Sequence, residues 1–199
     1  MPLVAEQLLS IARRSGVIRA SDLRAKGIAP VYLTRLVRSG ALVRVGRGLY
    51  SLADGEPTAH RTAVEAARHV PRGVVCLVSA LALHELTTQL PRAVWMAIDV
   101  KARRPSTDGP PLEIVRMSGP ALTEGVEERV LEGVTVRVFG AAKTVADCFK
   151  FRNKIGLDVA IEALRDYRRR RGSVDDLLRY AGVCRVARVI RPYLEALSS

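Results

Sequence analysis

Four arginines punctuate the stretch LTRLVRSGALVRVGRGLYSL, residues 33–52: Arg35, Arg38, Arg44 and Arg47. Arginine can grip nucleic acid in two ways, forking onto guanine edges or meeting phosphate oxygens. On a wheel of about 100° per residue, Leu33, Leu36 and Val37 fall together, while Val31, Thr34, Arg35 and Arg38 gather on the opposite side. A helix with that outer face can enter a major groove, its arginines reaching guanine and its Thr and Val a thymine methyl. Its N-terminus can also hold a phosphate. Arg47 stands between Gly46 and Gly48 at the tip of a turn, free to lie along the backbone or in a minor groove, and Arg44 on the preceding run can add a phosphate contact. Short basic helices are also found simply solvated, and similar modules bind proteins. Base edge, phosphate and water therefore all stay open as partners of any one arginine.

A second basic set lies far along the chain. In KTVADCFKFRNK, Val145, Cys148 and Phe149 form an apolar face, and Lys143, Asp147, Lys150 and Lys154 line the opposite one. Lys143 and Asp147 are four apart and can pair. Arg152 projects near the middle of the apolar face, so it either snorkels at the helix end or meets a buried carboxylate. In GLDVAIEALRDYRRRR the expected buried stripe is Leu157, Ala160, Ile161 and Leu164, with Arg165, Arg168 and Arg169 outside. Lys143, Lys150, Lys154, Arg168 and Arg169 thus make a candidate basic surface for nucleic acid or an acidic partner, the alternative being solvated helix faces and ends.

Chemistry beyond binding finds little support. Asp147 has no second carboxylate or histidine at a spacing that would make a site. The constellation to weigh is Asp99, Glu113 and Lys101, on two expected strands, which would have to converge as in a metal-dependent nuclease. His60, His69 and His84 are isolated from one another and read as helix-surface residues. Cys76, Cys148 and Cys184 are too far apart for a zinc or disulfide framework, and Cys148 sits among apolar neighbours as a core thiol. GRGLYS lacks the Lys-Ser/Thr of a phosphate-binding loop, and no G-x-S-x-G elbow occurs. No catalytic residue, metal or cofactor is expected.

The elements that must position these groups follow from periodicity. PLVAEQLLSIARRSG places Val4, Leu8 and Ile11 on one helical face and stops at Gly16. VIRASDLRAKGI offers Ser21 as N-cap of a short helix ending at Gly27, and APVYLTRLVRSG opens a third helix at Pro30 and closes it at Gly40. ALVRV and LYSL, around Gly-Arg-Gly, read as a hairpin. Three helices and a hairpin within some fifty residues predict a winged helix-turn-helix. Turn residues in DGEPTAH mark a boundary, giving expected domains 1–55 and 56–199. Beyond it, TAVEAARHV and VSALALHEL read as helices, AVWMAIDV, LEIVRMS and VTVRVFG as strands, RRPSTDGPP as a loop, and everything from 141 on as helical. The expected class is α+β: the winged helix, then a mixed α/β domain with a small sheet and a helical C-terminal part.

Lys and Arg outnumber Asp and Glu 32 to 20 over 199 residues, a formal charge of +12. A protein this basic commonly meets a polyanion. Residues 1–55 hold nine of the cations against Glu6, Asp22 and Asp54, so the excess is densest at the front. No stretch approaches the roughly 20 apolar residues of a membrane span, and a cytoplasmic protein without membrane contact is expected.

The segments VIRASDLRAKGI and YLTRLVRSGALVRVGRGLYSL resemble the N-terminal winged helix-turn-helix of AbiEi-type antitoxins. FGAAKTVADCFKFRNKIGLDVAIEALRDYRRR resembles their C-terminal signature, and VSALALHEL their middle segment, so the resemblance covers nearly the whole chain. It implies the antitoxin of a type IV toxin–antitoxin pair acting in abortive infection, a phage defence. Such antitoxins bind inverted repeats in their own promoter and repress the operon, an autoregulation for which two copies on the DNA are expected. Their C-terminal domain counters a nucleotidyltransferase-like toxin without a stable complex. Carried onto this chain, promoter binding falls on Thr34, Arg35, Arg38 and Arg47. The alternatives are an antitoxin that sequesters its toxin by direct contact, and a DNA-targeted nuclease built on Asp99 and Glu113.

Overall fold

Leu8 and Ala12, one helical turn apart, are both fully buried, and they anchor α1 (Pro2–Ser15) on the first of two sheets. The computed structural model describes residues 2–15, 17–24, 27–46, 48–53, 59–89, 91–106 and 108–197. After α1 the chain forms β1 (Val17–Arg19), α2 (Ala20–Arg24), α3 (Val31–Arg38), β2 (Leu42–Gly46) and β3 (Leu49–Leu52). The three strands are antiparallel in the order β1-β3-β2, and Ile18, Leu23, Leu33, Leu36 and Leu42 join Leu8 and Ala12 in one core. This is a winged helix-turn-helix with a strand that periodicity did not indicate. Three residues are too few to alternate visibly, and β1 exists because Val17, Ile18 and Arg19 pair with Ser51, Tyr50 and Leu49. That pairing also moves the start of α2 to Ala20, whose N–H goes to Gly48 O at 2.8 Å, so Ser21 lies inside the helix and is not its cap.

The second sheet has five strands in the order β6-β5-β4-β8-β7. Its elements run α4 (Ala59–His69), β4 (Val74–Val75), α5 (Leu77–Leu83), β5 (Val94–Asp99), β6 (Leu112–Met117), α6 (Pro120–Thr123), β7 (Val126–Leu131) and β8 (Val134–Phe139). Then come α7 (Ala141–Lys150), α8 (Arg152–Ile155), α9 (Leu157–Arg169), α10 (Val174–Val183) and α11 (Ala187–Ala196). One face of the sheet, with Val75, Met96, Val136 and Val138, packs on Ala63, Val64 and Ala66 of α4. The other, with Val74, Ala97, Val115 and Phe139, packs on α5, α7 and the C-terminal helices. Mixed strand directions, with β4–β8 and β5–β6 parallel and the rest antiparallel, make the whole an α+β fold.

VEERVL, now β7, alternates polar and apolar only weakly and was not expected as a strand. It is secured by the turn that follows, where Glu132 (φ 48°) and Gly133 (φ 72°) both take the left-handed conformation of a tight hairpin. In α9 the buried face is Val159, Ala160, Ala163, Leu164 and Tyr167; Leu157, expected inside, stands exposed at the first turn.

The largest departure from the wheel is α7. Residues Lys143 to Phe149 are all buried, because α5, α9, α10 and α11 pack around this helix and leave it no solvated side until Lys150. Lys143, expected on a basic surface, has no exposed area. Its Nζ donates to Asp147 Oδ2 at 2.5 Å and lies 4.0 Å from the Phe139 ring centre. Cys184, at the end of α10, donates Sγ–H to Asp147 Oδ1 at 3.0 Å. Burial pushes the Asp147 carboxyl above its usual range, and the Lys143 ammonium pulls it back part of the way. Burial likewise pushes the Cys184 thiol up to about 12, keeping it a proton donor. An amphipathic pattern with i,i+4 charges thus hides a desolvated ion pair at the centre of a helical cluster.

Candidate nucleic-acid interface

Two glycine stops set the angle of α3. Gly27 (φ 71°) ends α2, with Ile28 N–H returning to Leu23 O at 2.9 Å. Gly40 (φ 74°) ends α3, where its own N–H bonds Val37 O at 3.1 Å and Ala41 N–H bonds Leu36 O at 3.0 Å. That paired closure is the Schellman arrangement, and it turns the chain directly into β2.

Between these stops Leu33 and Leu36 of α3 are buried, and Tyr32 and Val37 pack at the border of the core. Val31, Thr34, Arg35 and Arg38 are all exposed, within an arc of about 100°. Val31 is 50% exposed, an apolar side chain held in solvent between arginines. The eight residues of α3 extend about 12 Å, the width of a major groove. The Arg35 guanidinium sits 5.7 Å from the Tyr32 ring centre, a stacking that pre-orients it at the helix surface. No acidic residue lies in the helix. The first turn closes on itself, with Tyr32 N–H on Ala29 O and Leu33 N–H on Pro30 O, which occupies amides that a phosphate would need. Anion capture there, expected from the sequence, has little left to act with.

Arg44 is exposed on β2 opposite Tyr50, on the strand that leads into the wing. Arg47, the expected tip, lies outside the described residues. Behind the wing, Arg61 of α4 donates Nη2–H to Leu52 O at 3.0 Å and also meets Ser51 Oγ, while its Nε lies 3.4 Å from Glu65. This guanidinium ties β3 to the first helix beyond the linker.

The second basic set does not form one surface. Lys143 is buried, as described above. Lys150 and Lys154 are exposed on either side of Phe151. Arg168 and Arg169 sit at the far end of α9, about 18 Å along its axis from α8. Arg168 donates to Gly172 O at 3.3 Å, Arg169 pairs with Asp166 at 3.0 Å, and Arg170 with Glu85 at 3.1 Å. Arg168 thus closes its own helix, while Arg170 ties the end of α9 to the residue after His84. Among the described residues Arg152 meets no buried carboxylate; it donates to Phe149 O at 2.8 Å, part-buried at the helix junction.

His84, expected on a helix surface, is instead half-buried as the C-cap of α5. Its Nε2–H donates to Phe139 O at 2.7 Å and its Nδ1 accepts from Arg129 Nη2 at 2.8 Å. Burial holds its pKa below the ordinary histidine value. The nuclease constellation does not converge. Trp95 is opposite Glu113 and Asp99 opposite Met117, which puts the two carboxylates about four rungs, or ~13 Å, apart. Asp99 Oδ1 accepts the Lys101 N–H at 2.8 Å in a local turn. Among the described residues no three His, Cys, Asp or Glu side chains cluster for a metal, and no helix is long and apolar enough to cross a membrane.

Helix, strand and wing define the class: a winged-helix module of the kind that reads duplex DNA. Residues 6–53, from α1 to the end of β3, match the family described as "Transcriptional regulator, AbiEi antitoxin". No curated protein matches the chain at a significant level.

Proposed function

We propose that the chain is a DNA-binding antitoxin that represses its own operon by gripping inverted repeats in the promoter. Residues 1–55 serve as the reading domain. Residues 56–199 serve as the domain that opposes a nucleotidyltransferase-like toxin, without a stable complex between the two and in the cytoplasm. The observation that carries the reading is the outer face of α3, where Val31, Thr34, Arg35 and Arg38 are exposed together on a helix whose other side is locked in the core. The regulator family matched by residues 6–53 supports it. In this reading Arg35 and Arg38 fork onto guanine edges, Thr34 and Val31 contact thymine methyls, and Arg44 and Arg47 hold phosphates. One helix of this length reads a few base pairs, so two copies on a palindromic site supply the specificity.

The test compares binding to the few hundred base pairs upstream of the gene with binding to random DNA of equal length, at two salt concentrations. Preference for the upstream fragment that persists at the higher salt is expected. Equal binding that disappears with salt would reduce the interaction to the +12 charge and defeat the proposal.

A further inference from the structure

We propose that the outer edge of β6 is a docking strand for an extended, acidic peptide segment of a partner protein. β6 ends the five-stranded sheet and, among the described residues, pairs with β5 alone. Val94 N–H takes Pro111 O at 2.9 Å, and Val100 N–H takes Met117 O at 3.0 Å. In a parallel ladder the carbonyls facing one neighbour recur at every second residue, so positions 111, 113, 115 and 117 serve β5. Leu112, Ile114 and Arg116 therefore turn their N–H and C=O groups outward. The register runs unbroken over six rungs, with no bulge to twist the edge away. Edge strands are commonly blunted by shortness, bulges, proline or charge, and within its span this one carries only the charges of Glu113 and Arg116.

The edge is also lined for a guest. Arg104, Glu113, Ile114, Arg116, Phe151 and Lys154 wall a groove of about 440 Å³. It continues past Arg104 and Ile114 into a second hollow of about 240 Å³, floored by Leu112 and the Pro110–Pro111 turn. Leu112 and Ile114 are half-buried on the sheet face that packs on α4, and Phe151 is half-buried against the opposite face, so apolar side chains flank the edge on both sides. Arg104 and Lys154 have no ion-pair partner among the described residues. Arg116 is held in place by donating Nη1–H to the carbonyls of Asp99, Val100 and Ala102 at 3.2, 2.9 and 2.9 Å. Three cations against the single Glu113 select acidic side chains, and the alternating main-chain groups select a strand. A nucleic acid fits less well. Glu113 would face its phosphates, the flanks are apolar, and the outward N–H and C=O row matches another peptide backbone.

This surface stands apart from α3 and does not depend on the operator reading. The probe is a labelled hexapeptide, acetyl-Val-Glu-Val-Glu-Val-Glu-amide, with its lysine counterpart as control, titrated into the full chain. The acidic peptide is expected to bind and the lysine peptide not, with slowed hydrogen exchange at the amides of Leu112, Ile114 and Arg116. Ile114→Pro removes one outward donor at an edge position where proline is tolerated, and should weaken binding at least about tenfold while leaving binding to the upstream duplex unchanged. If Ile114→Pro does not fold, the double reversal Arg104→Glu/Lys154→Glu, on the loop and α8, should weaken binding to the same extent. Four results would overturn the proposal: no acidic-peptide binding up to roughly 1 mM, binding unaffected by the variants, binding without protection of those amides, or displacement of the peptide by random duplex DNA that protects the same amides.

Discussion

Replacing Lys143 by methionine tests what the buried Asp147 carboxyl does when its basic partner is removed. Methionine is similar in length and apolar, so the substitution removes the ammonium while leaving the packing over Phe139 and between α5, α9 and α10 largely filled. What remains is a fully buried carboxyl whose one remaining side-chain donor among the described residues is Cys184. Desolvation already raises Asp147, and losing the cation removes the largest influence opposing it, so in the variant Asp147 folds protonated. Taking up that proton at pH 7 from an unfolded value near 3.9 costs up to about 4 kcal/mol, at 1.36 kcal/mol per unit. This is in the range of about 3–5 kcal/mol seen when one partner of a buried pair is removed. The sign follows from linkage. The folded variant binds a proton that the unfolded chain releases, so the loss should shrink by about 1.4 kcal/mol for each unit the pH is lowered, while the pH stays above the wild-type Asp147 pKa. Urea unfolding of wild type and Lys143→Met at pH 7 and pH 6 measures both quantities. Adding Asp147→Leu to the variant should restore most of the stability, since an apolar pair can replace a buried ion pair. A loss that is under about 1 kcal/mol, or that does not change with pH, would show that the folded variant takes up no proton at Asp147 and would refute the reasoning.

On the operator, Thr34→Ala or Arg35→Ala should erode preference for the upstream site by about 1–3 kcal/mol. Arg47→Ala should weaken binding to all duplexes alike and lower the salt slope by about one; electrophoretic titration at several salt concentrations separates the two behaviours. Gly40→Ala should lower stability by about 1 kcal/mol through backbone strain alone, because Gly40 takes φ 74° and nothing lies within 4 Å of an added Cβ; a variant as stable as wild type in urea would contradict this. Because burial depresses His84, its contribution is fully present above its unfolded pKa near 6.5 and is lost as pH falls toward the folded value, so stability should decline below about pH 6.5. His84→Gln should flatten that decline.

The first domain and the exposed face of α3 were legible because their rules are local. Gly27 and Gly40 stop helices by their own backbone freedom, and Leu33 and Leu36 at i,i+3 point one way while Thr34, Arg35 and Arg38 point the other. A single wheel therefore found the exposed face that the structure displays. β7 was not legible because its alternation is weak and it is a strand only through the hairpin return of β8, and β1 because its partner, β3, is distant in sequence. His84 was misread for the same reason. Its two ring partners, Phe139 O and Arg129, come from β8 and β7.

The misplacement of Lys143 is more instructive, because the wheel was correct and the inference from it was not. Lys143, Asp147 and Lys150 do share a side of α7, but a polar side faces water only if nothing packs on it. Here α10 closes over Lys143 and Asp147 and supplies the Cys184 donor, while Lys150, one turn further, escapes past the end of the cluster. The sequence did hold a signal: Ala142, Thr144, Ala146 and Cys148, interleaved with the charges, are small enough to let four helices approach at once. A solvated i,i+4 pair is usually flanked by longer polar residues, and small residues on every other side argue that the charges are enclosed with them. Enclosure in turn explains the chemistry of the pair. An exposed Lys–Asp contact contributes a few tenths of a kcal/mol, whereas a desolvated one is tolerated only when every lone pair and proton is met. Lys143 and Cys184 each give a donor to one oxygen of Asp147, and the Phe139 ring faces the ammonium, which goes some way to meeting that condition.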